Sequence, residues 1–160
     1  MIKFEEIITG LVTADIRFVL VGGLAASAQG SAYVTQDVDI CYERTPGNVQ
    51  KMVAYLKAVH AKLRGAPEDL PFILDERTFS FGINFTFQTD LGDLDLLGDM
   101  AGVGSYAEAM KLSENIEIFG HRVNVLSIEG LIRAKKAAGR PKDIAHVKEL
   151  EAIREKKKEG

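Results

Sequence analysis

Residues 21–40 read VGGLAASAQGSAYVTQDVDI, and the order of elements in this stretch decides the fold. It is entered from Arg17–Val21 (RFVLV), a short run of bulky apolar residues halted by Gly22-Gly23, the pattern of a buried strand. Leu24–Gln29 is alanine-rich and predicts a helix stopped by Gly30. Thr35–Tyr42 (TQDVDICY) then alternates polar and apolar residues at period two, which predicts a second strand. Two points in this unit carry chemistry. The glycine pair presents free backbone amides at a helix start, where an anion is favoured, and has no Cβ to hold anionic oxygens away. Asp37 and Asp39 stand at i and i+2 on a strand, so both carboxylates leave the same face, about 7 Å apart at Cα. Like charges so placed repel unless a cation lies between them, and strand interiors disfavour aspartate.

Neither point is specific alone. The glycine spacing fits neither the dinucleotide-binding nor the P-loop pattern, and strand–glycine–helix turns also arise for packing. With 10 aspartates in the chain, chance alone yields roughly 0.6 Asp-x-Asp occurrences. The context adds the information: apolar residues surround the pair, on a strand that follows a glycine turn. A third element strengthens it. Gly92–Leu97 (GDLDLL) is again a strand with two aspartates on one face, and Asp95 completes a three-carboxylate cluster if that strand lies beside Thr35–Tyr42. Magnesium takes carboxylate oxygens while keeping positions for phosphate, and three carboxylates suffice for two such ions. Asp90 and Asp99 read as turn and edge residues.

The remaining chain supplies a frame. Phe4, Ile7, Ile8, Leu11 and Val12 have the period of an amphipathic helix ending near Asp15. Thr45-Pro46 opens a helix whose stripe runs from Val49 to Leu63, with Gly65 and Pro67 beyond it. Residues 66–78 have no clear pattern. Phe81, Ile83, Phe85 and Phe87 alternate and, across Asp90-Leu91-Gly92, form a hairpin with Leu94–Leu97. Gly98–Gly104 reads as loop and Tyr106–Leu112 as a short helix. Ile116–Phe119 and Arg122–Leu126 form a second hairpin about Gly120-His121. Ser127 caps a helix to Ala138, Gly139 stops it, and Pro141 opens a last helix.

The whole is an α+β domain spanning 1–160, with a core over about 1–127 and basic helices over 128–160. Its 160 residues, 46% apolar and 27% charged, suit one folded unit. The single cysteine, Cys41, excludes an internal disulfide and a cysteine-based zinc site and reads as a buried small hydrophobe. The longest apolar run, Phe18–Ala28, has 11 residues, too few to span a bilayer, and no basic stretch precedes it. A cytoplasmic protein without membrane contact is expected. Residues 1–132 carry 10 basic and 18 acidic groups, net −8, whereas 133–160 carry 10 basic and 5 acidic, net +5. A cationic end on an acidic body suits an anionic partner, although a solvated helix face has the same composition.

These segments resemble the nucleotidyltransferase signature of the DNA polymerase β superfamily, in which a small-residue turn, a short helix, Asp-x-Asp and a third aspartate on a later strand occur in this order. Gly130–Lys135 (GLIRAK) and Gly139–Asp143 (GRPKD) extend the resemblance to the minimal nucleotidyltransferases and to the abortive-infection nucleotidyltransferase toxins of bacterial toxin–antitoxin systems. The resemblance implies a nucleotidyltransferase-like mixed β-sheet flanked by helices, with a C-terminal helical segment. It also implies a Mg²⁺-dependent enzyme that moves a nucleoside monophosphate from an NTP such as ATP to an acceptor hydroxyl, on RNA (a tRNA end) or protein, and releases pyrophosphate. Asp37 and Asp39 would bridge two Mg²⁺ ions and Asp95 would bind the catalytic one. Gly22, Gly23, Lys135, Arg140 and Lys142 would hold the NTP, with Asp143 orienting Lys135 or Arg140. A toxin–antitoxin setting further implies an antitoxin partner. One departure stands out: the family turn is commonly Gly-Ser, and here Gly23 takes the serine's place. That departure supports the alternative of a non-catalytic NTP-binding module or antitoxin component. A third reading, nucleotidylation of a small molecule such as an antibiotic, shares the chemistry and differs in the acceptor.

Overall fold

The computed structural model describes residues 2–67 and 73–159. Helix α1 spans Phe4–Thr13 and buries Ile7, Ile8 and Leu11, with Glu5 and Glu6 in its first turn, where the helix dipole favours anions. It stops short of the expected Asp15, which turns the chain with φ 57°. Strand β1 (Phe18–Val21) is buried throughout, as its unbroken apolar sequence requires. Helix α2 (Gly22–Ala28) begins at the glycine pair itself, two residues before the expected start, and β2 runs over Asp37–Tyr42. Helix α3 (Pro46–Ala58) starts as anticipated, with Thr45 at the cap position and proline in its first turn.

Beyond α3 the expected helical stripe fails. The helix ends at Ala58, His60 takes φ 53°, and Lys62–Leu63 become a short strand, β3. Val59 and Leu63 fit a helical period, but Leu63 pairs with Phe87 instead. A 3₁₀ turn at Glu76–Ser80 is closed by a reciprocal cap between Asp75 and Thr78. Of the patternless 66–78 stretch, residues 68–72 lie outside the described residues. Strands β4 (Phe85–Thr89) and β5 (Gly92–Leu97) form the predicted hairpin, with its first strand shorter than expected. Phe81 is 88% exposed and lies outside β4, although its alternation suggested core; Phe79 and Phe87 are buried. The expected loop after Gly98 contains a small separate ribbon, β6 (Asp99–Met100) with β7 (Gly104–Ser105). Helix α4 (Tyr106–Lys111) leads to the second hairpin, β8 (Ser113–Ile118) and β9 (His121–Leu126), whose first strand starts three residues early. Helix α5 (Ile128–Ala138) is capped by the Ser127 hydroxyl and ended by Gly139 at φ 64°; α6 (Pro141–Glu159) follows.

Among the described residues, seven strands form one mixed sheet in the order β3-β4-β5-β2-β1-β9-β8. The pairs β2–β5 and β1–β9 are parallel and the others antiparallel. The chemistry depends on the register at the centre. Val21, the last residue before the glycine turn, lies opposite Asp39, and across the other edge of β2 Asp39 lies opposite Asp95. Glycine turn, Asp-x-Asp and third aspartate thus meet at one end of the three central strands. Between and beyond the β2 aspartates, Val38 and Ile40 point the other way and are fully buried, as are Leu94 and Leu96 between and beyond the β5 aspartates. The apolar positions anchor the strands in the core and hold the carboxylates at its rim. Helices α2 and α5 pack on β9 and on each other, and α6 packs on α5, which brings the basic C-terminal segment to the same end of the sheet.

Candidate active site

Asp37, Asp39 and Asp95 each offer a carboxylate oxygen, and the three oxygens lie within 4.8 Å of one another. This is the only such group of three among the described residues. Asp93 also leaves the same face of β5, opposite Asp37, but stands outside the cluster. The donor set suits a hard divalent cation: all ligands are carboxylates, and no thiolate or imidazole competes. Electrostatics point the same way. Burial, followed by the charges of Asp37 and Asp95, pushes Asp39 up to about 8. Asp37 is raised by burial and then by Asp95. Carboxylates held this close are short of positive charge, which a divalent cation supplies.

The glycine turn closes over this cluster. Gly22 has φ +67°, a conformation that L side chains rarely adopt, and a Cβ there would overlap Oδ2 of Asp39. A Cβ on Gly23 would come within 2.5 Å of both Cβ and Oγ1 of Thr35. The position where a serine was expected therefore faces a hydroxyl from the neighbouring segment. Thr35 in turn donates to the Asp37 carbonyl at 3.2 Å and to its carboxylate at 3.4 Å.

A cavity of about 560 Å³ opens from the carboxylates. Gly22, Gly23, Asp37, Asp39 and Asp95 line it together with Lys135, Arg140, Lys142 and His146. The residues named in the sequence as metal and NTP ligands all line this one space. Two of these cations, Lys135 and Arg140, are held by Asp143, which is 1% exposed. Its Oδ2 accepts from the Arg140 backbone at 3.0 Å and from Nε at 2.8 Å, and Lys135 Nζ stands 3.5 Å from Oδ1. The Arg140 hydrogen bonds hold Asp143 down at about 2. The loop before β2 is fastened to α6: Ser31 Oγ and the Ala32 amide donate to Glu149 at 2.5 and 3.0 Å, and the Tyr33 ring packs on His146 with centroids 4.1 Å apart. Burial, then Lys135, lowers the His146 pKa and so favours the neutral ring. Cys41 shares the aspartates' side of β2 but is fully buried, and burial pushes its thiol up to about 12, so it offers no nucleophile.

Arg64 was not anticipated from the sequence. Its Nη2 donates to Asp95 Oδ1 at 2.6 Å, and its Nε lies 3.3 Å from Asp93 Oδ2. No local signal marks it, because it reaches the site only through the pairing of β3 with β4 and of β4 with β5. Thr35, Tyr33 and Glu149 were likewise visible only as strand, loop and helix residues.

No protein-family model matches the sequence, and no curated protein matches it significantly. Solved structures do. The lincosamide antibiotic adenylyltransferase LnuA, bound to lincomycin, aligns with a TM-score of 0.64 at 13% identity, over 94% of this chain and 95% of that one. ANT(2″)-Ia in complex with adenylyl-2″-tobramycin aligns with a TM-score of 0.58 at 14% identity, over 94% of this chain and 84% of that one. The described residues contain no helix long and apolar enough to cross a membrane. With a mixed sheet flanked by helices and the glycine turn and aspartates at one end of its central strands, the chain has the fold of the nucleotidyltransferase superfamily.

Proposed function

We propose that the chain is a divalent-metal-dependent nucleotidyltransferase, with Mg²⁺ as the expected ion. The observation that carries this reading is the register that sets Asp39 opposite Asp95 and beside the glycine turn, in one cavity with Lys135 and Arg140. Asp37, Asp39 and Asp95 would hold the metal, and bound cations would neutralise the phosphate oxygens of the NTP. The amides of Gly22 and Gly23 bind the triphosphate, and glycine at both positions lets its oxygens approach the backbone. Lys135, Arg140 and Lys142 offset the remaining charge, Arg140 with its orientation fixed by Asp143. In the same cavity, Tyr33 on His146 offers an aromatic surface to the nucleobase.

The acceptor hydroxyl attacks the α-phosphorus, a new O–P bond forms, and the bond to the β-phosphate oxygen breaks. Pyrophosphate leaves, and the hydroxyl proton passes toward Asp95. The chain contributes mainly positioning and charge compensation. At the Gly23 departure, Thr35 occupies the space that a serine Cβ would need, and its hydroxyl donates to Asp37.

Two acceptor classes follow. RNA or a protein hydroxyl, in a toxin–antitoxin setting with an antitoxin partner, is supported by the sequence resemblance. A hydroxylated small molecule is supported by the neighbours, whose bound compounds are lincomycin and an adenylylated tobramycin. Pyrophosphate release from each of four NTPs, with Mg²⁺ and separate pools of tRNA, protein and hydroxylated antibiotics, tests the reading. Release with one pool supports it and names the acceptor. Tight Mg²⁺–NTP binding without release from any pool supports the non-catalytic module.

A further inference from the structure

Among the clustered carboxylates, Asp95 already has a cation. Arg64 reaches it with its backbone fixed to the sheet: its amide donates to the Thr86 carbonyl at 3.0 Å, and Nη2 donates to the Phe87 carbonyl at 3.2 Å as well as to Asp95 at 2.6 Å. The ion pair is partly shielded, with the arginine side chain 32% exposed and that of Asp95 16%. Its other end is less settled. Nε is buried without a hydrogen bond, and Asp93 Oδ2 lies 3.3 Å away. Asp93, 39% exposed, thus stands beside the guanidinium as a second carboxylate outside the cluster.

A guanidinium keeps its charge in proteins, so Arg64 opposes any cation that approaches Asp95. We propose that Arg64 is the resident counter-cation of Asp95 and sets metal occupancy. It keeps the nucleotide-free site weak for divalent ions, moves toward Asp93 when Asp95 is engaged, and lets the metal bind tightly only with the phosphates of an NTP. The inference rests on the metal-site reading above. It also gives a role to Asp93, which the cluster leaves unused.

The test is direct Mn²⁺ binding, read from the electron paramagnetic resonance signal of the free ion, with and without a non-hydrolysable NTP analogue. Arg64→Met is expected to tighten nucleotide-free Mn²⁺ binding at least tenfold, and Arg64→Lys, which keeps the charge, to remain near wild type. Asp93→Asn, which removes the second resting place, is expected to weaken Mn²⁺ binding. Folded Arg64→Met protein, checked by circular dichroism, that binds Mn²⁺ no tighter than wild type overturns the proposal. Should Arg64→Met not fold, unchanged Mn²⁺ affinity in Asp93→Asn overturns it. If wild type binds Mn²⁺–nucleotide but the variants do not shift, only the role of Arg64 falls. If no form binds Mn²⁺ even with nucleotide, the metal-site reading falls with it.

Discussion

Replacing Asp39 with asparagine is expected to stabilise the metal-free protein at neutral pH while removing its response to metal. Asp39 is raised to about 8 in the folded state, by burial and by the neighbouring Asp37 and Asp95. In the unfolded chain it titrates near 3.9. Between these values the native state holds a proton that the unfolded state has lost, so stability falls as pH rises, by up to about 1.4 kcal/mol per pH unit. From pH 5 to pH 7 this group alone removes about 2–3 kcal/mol, and above about 8 its effect levels off. Asparagine has the same shape and no proton to lose. The stability gap between Asp39→Asn and wild type is therefore expected to widen by about 2–3 kcal/mol between pH 5 and pH 7, or roughly 5–10 °C in Tm for a domain of this size. Asp37, raised in the same direction, remains in both proteins and largely cancels. The assay is thermal unfolding in EDTA at half-unit pH steps, repeated with Mg²⁺. Wild type is expected to regain stability with Mg²⁺ and the variant is not. A gap that stays constant from pH 5 to pH 8 would refute the reasoning, because it would mean that Asp39 is an ordinary ionised carboxylate.

Three further outcomes follow from the site. Gly22→Ala puts a methyl group into the Asp39 carboxylate at a left-handed φ, and calorimetric titration is expected to show lost metal binding alongside about 1–3 kcal/mol lower stability. Asp143→Asn removes the partner of Arg140 and Lys135. Because Asp143 is held at about 2, wild type keeps this stabilisation above pH 4 and loses it from pH 4 to pH 2. Urea titrations are expected to show the variant about 2 kcal/mol less stable at pH 7 and level with wild type near pH 2. Tyr33→Ala is expected to weaken NTP binding about tenfold and leave inorganic tripolyphosphate binding unchanged; equal loss for both ligands would assign the Tyr33–His146 contact to loop packing.

The central part of the fold was legible because its signals are local. The glycine stop after RFVLV, the alternation through TQDVDICY and the second pair in GDLDLL each lie within a few residues, and they mark the three central strands, two of which carry the carboxylates. The register sets Asp95 opposite Asp39 and within the cluster, and Asp93 opposite Asp37 and outside it. What stayed hidden depends on distant pairing or on backbone turns. Leu63 fits a helical period, yet the positive φ of His60 redirects the chain into the sheet, and Arg64 enters the site as a result. Phe81 alternates like core but precedes the strand and lies in solvent. The Thr35 hydroxyl beside Gly23 could not be read from the sequence, because a one-dimensional pattern shows a missing serine and not what fills its space.

Transfer of the α-phosphorus label tests the central claim most directly. Wild type and Asp37→Ala/Asp39→Ala would each be incubated with the four α-labelled NTPs, Mg²⁺, and pools of tRNA, cell lysate and hydroxylated antibiotics. The account predicts label in one acceptor pool with wild type, and none with the double variant or in EDTA. Equal labelling by wild type and the double variant would contradict it, since the three carboxylates could then not be the centre of the reaction.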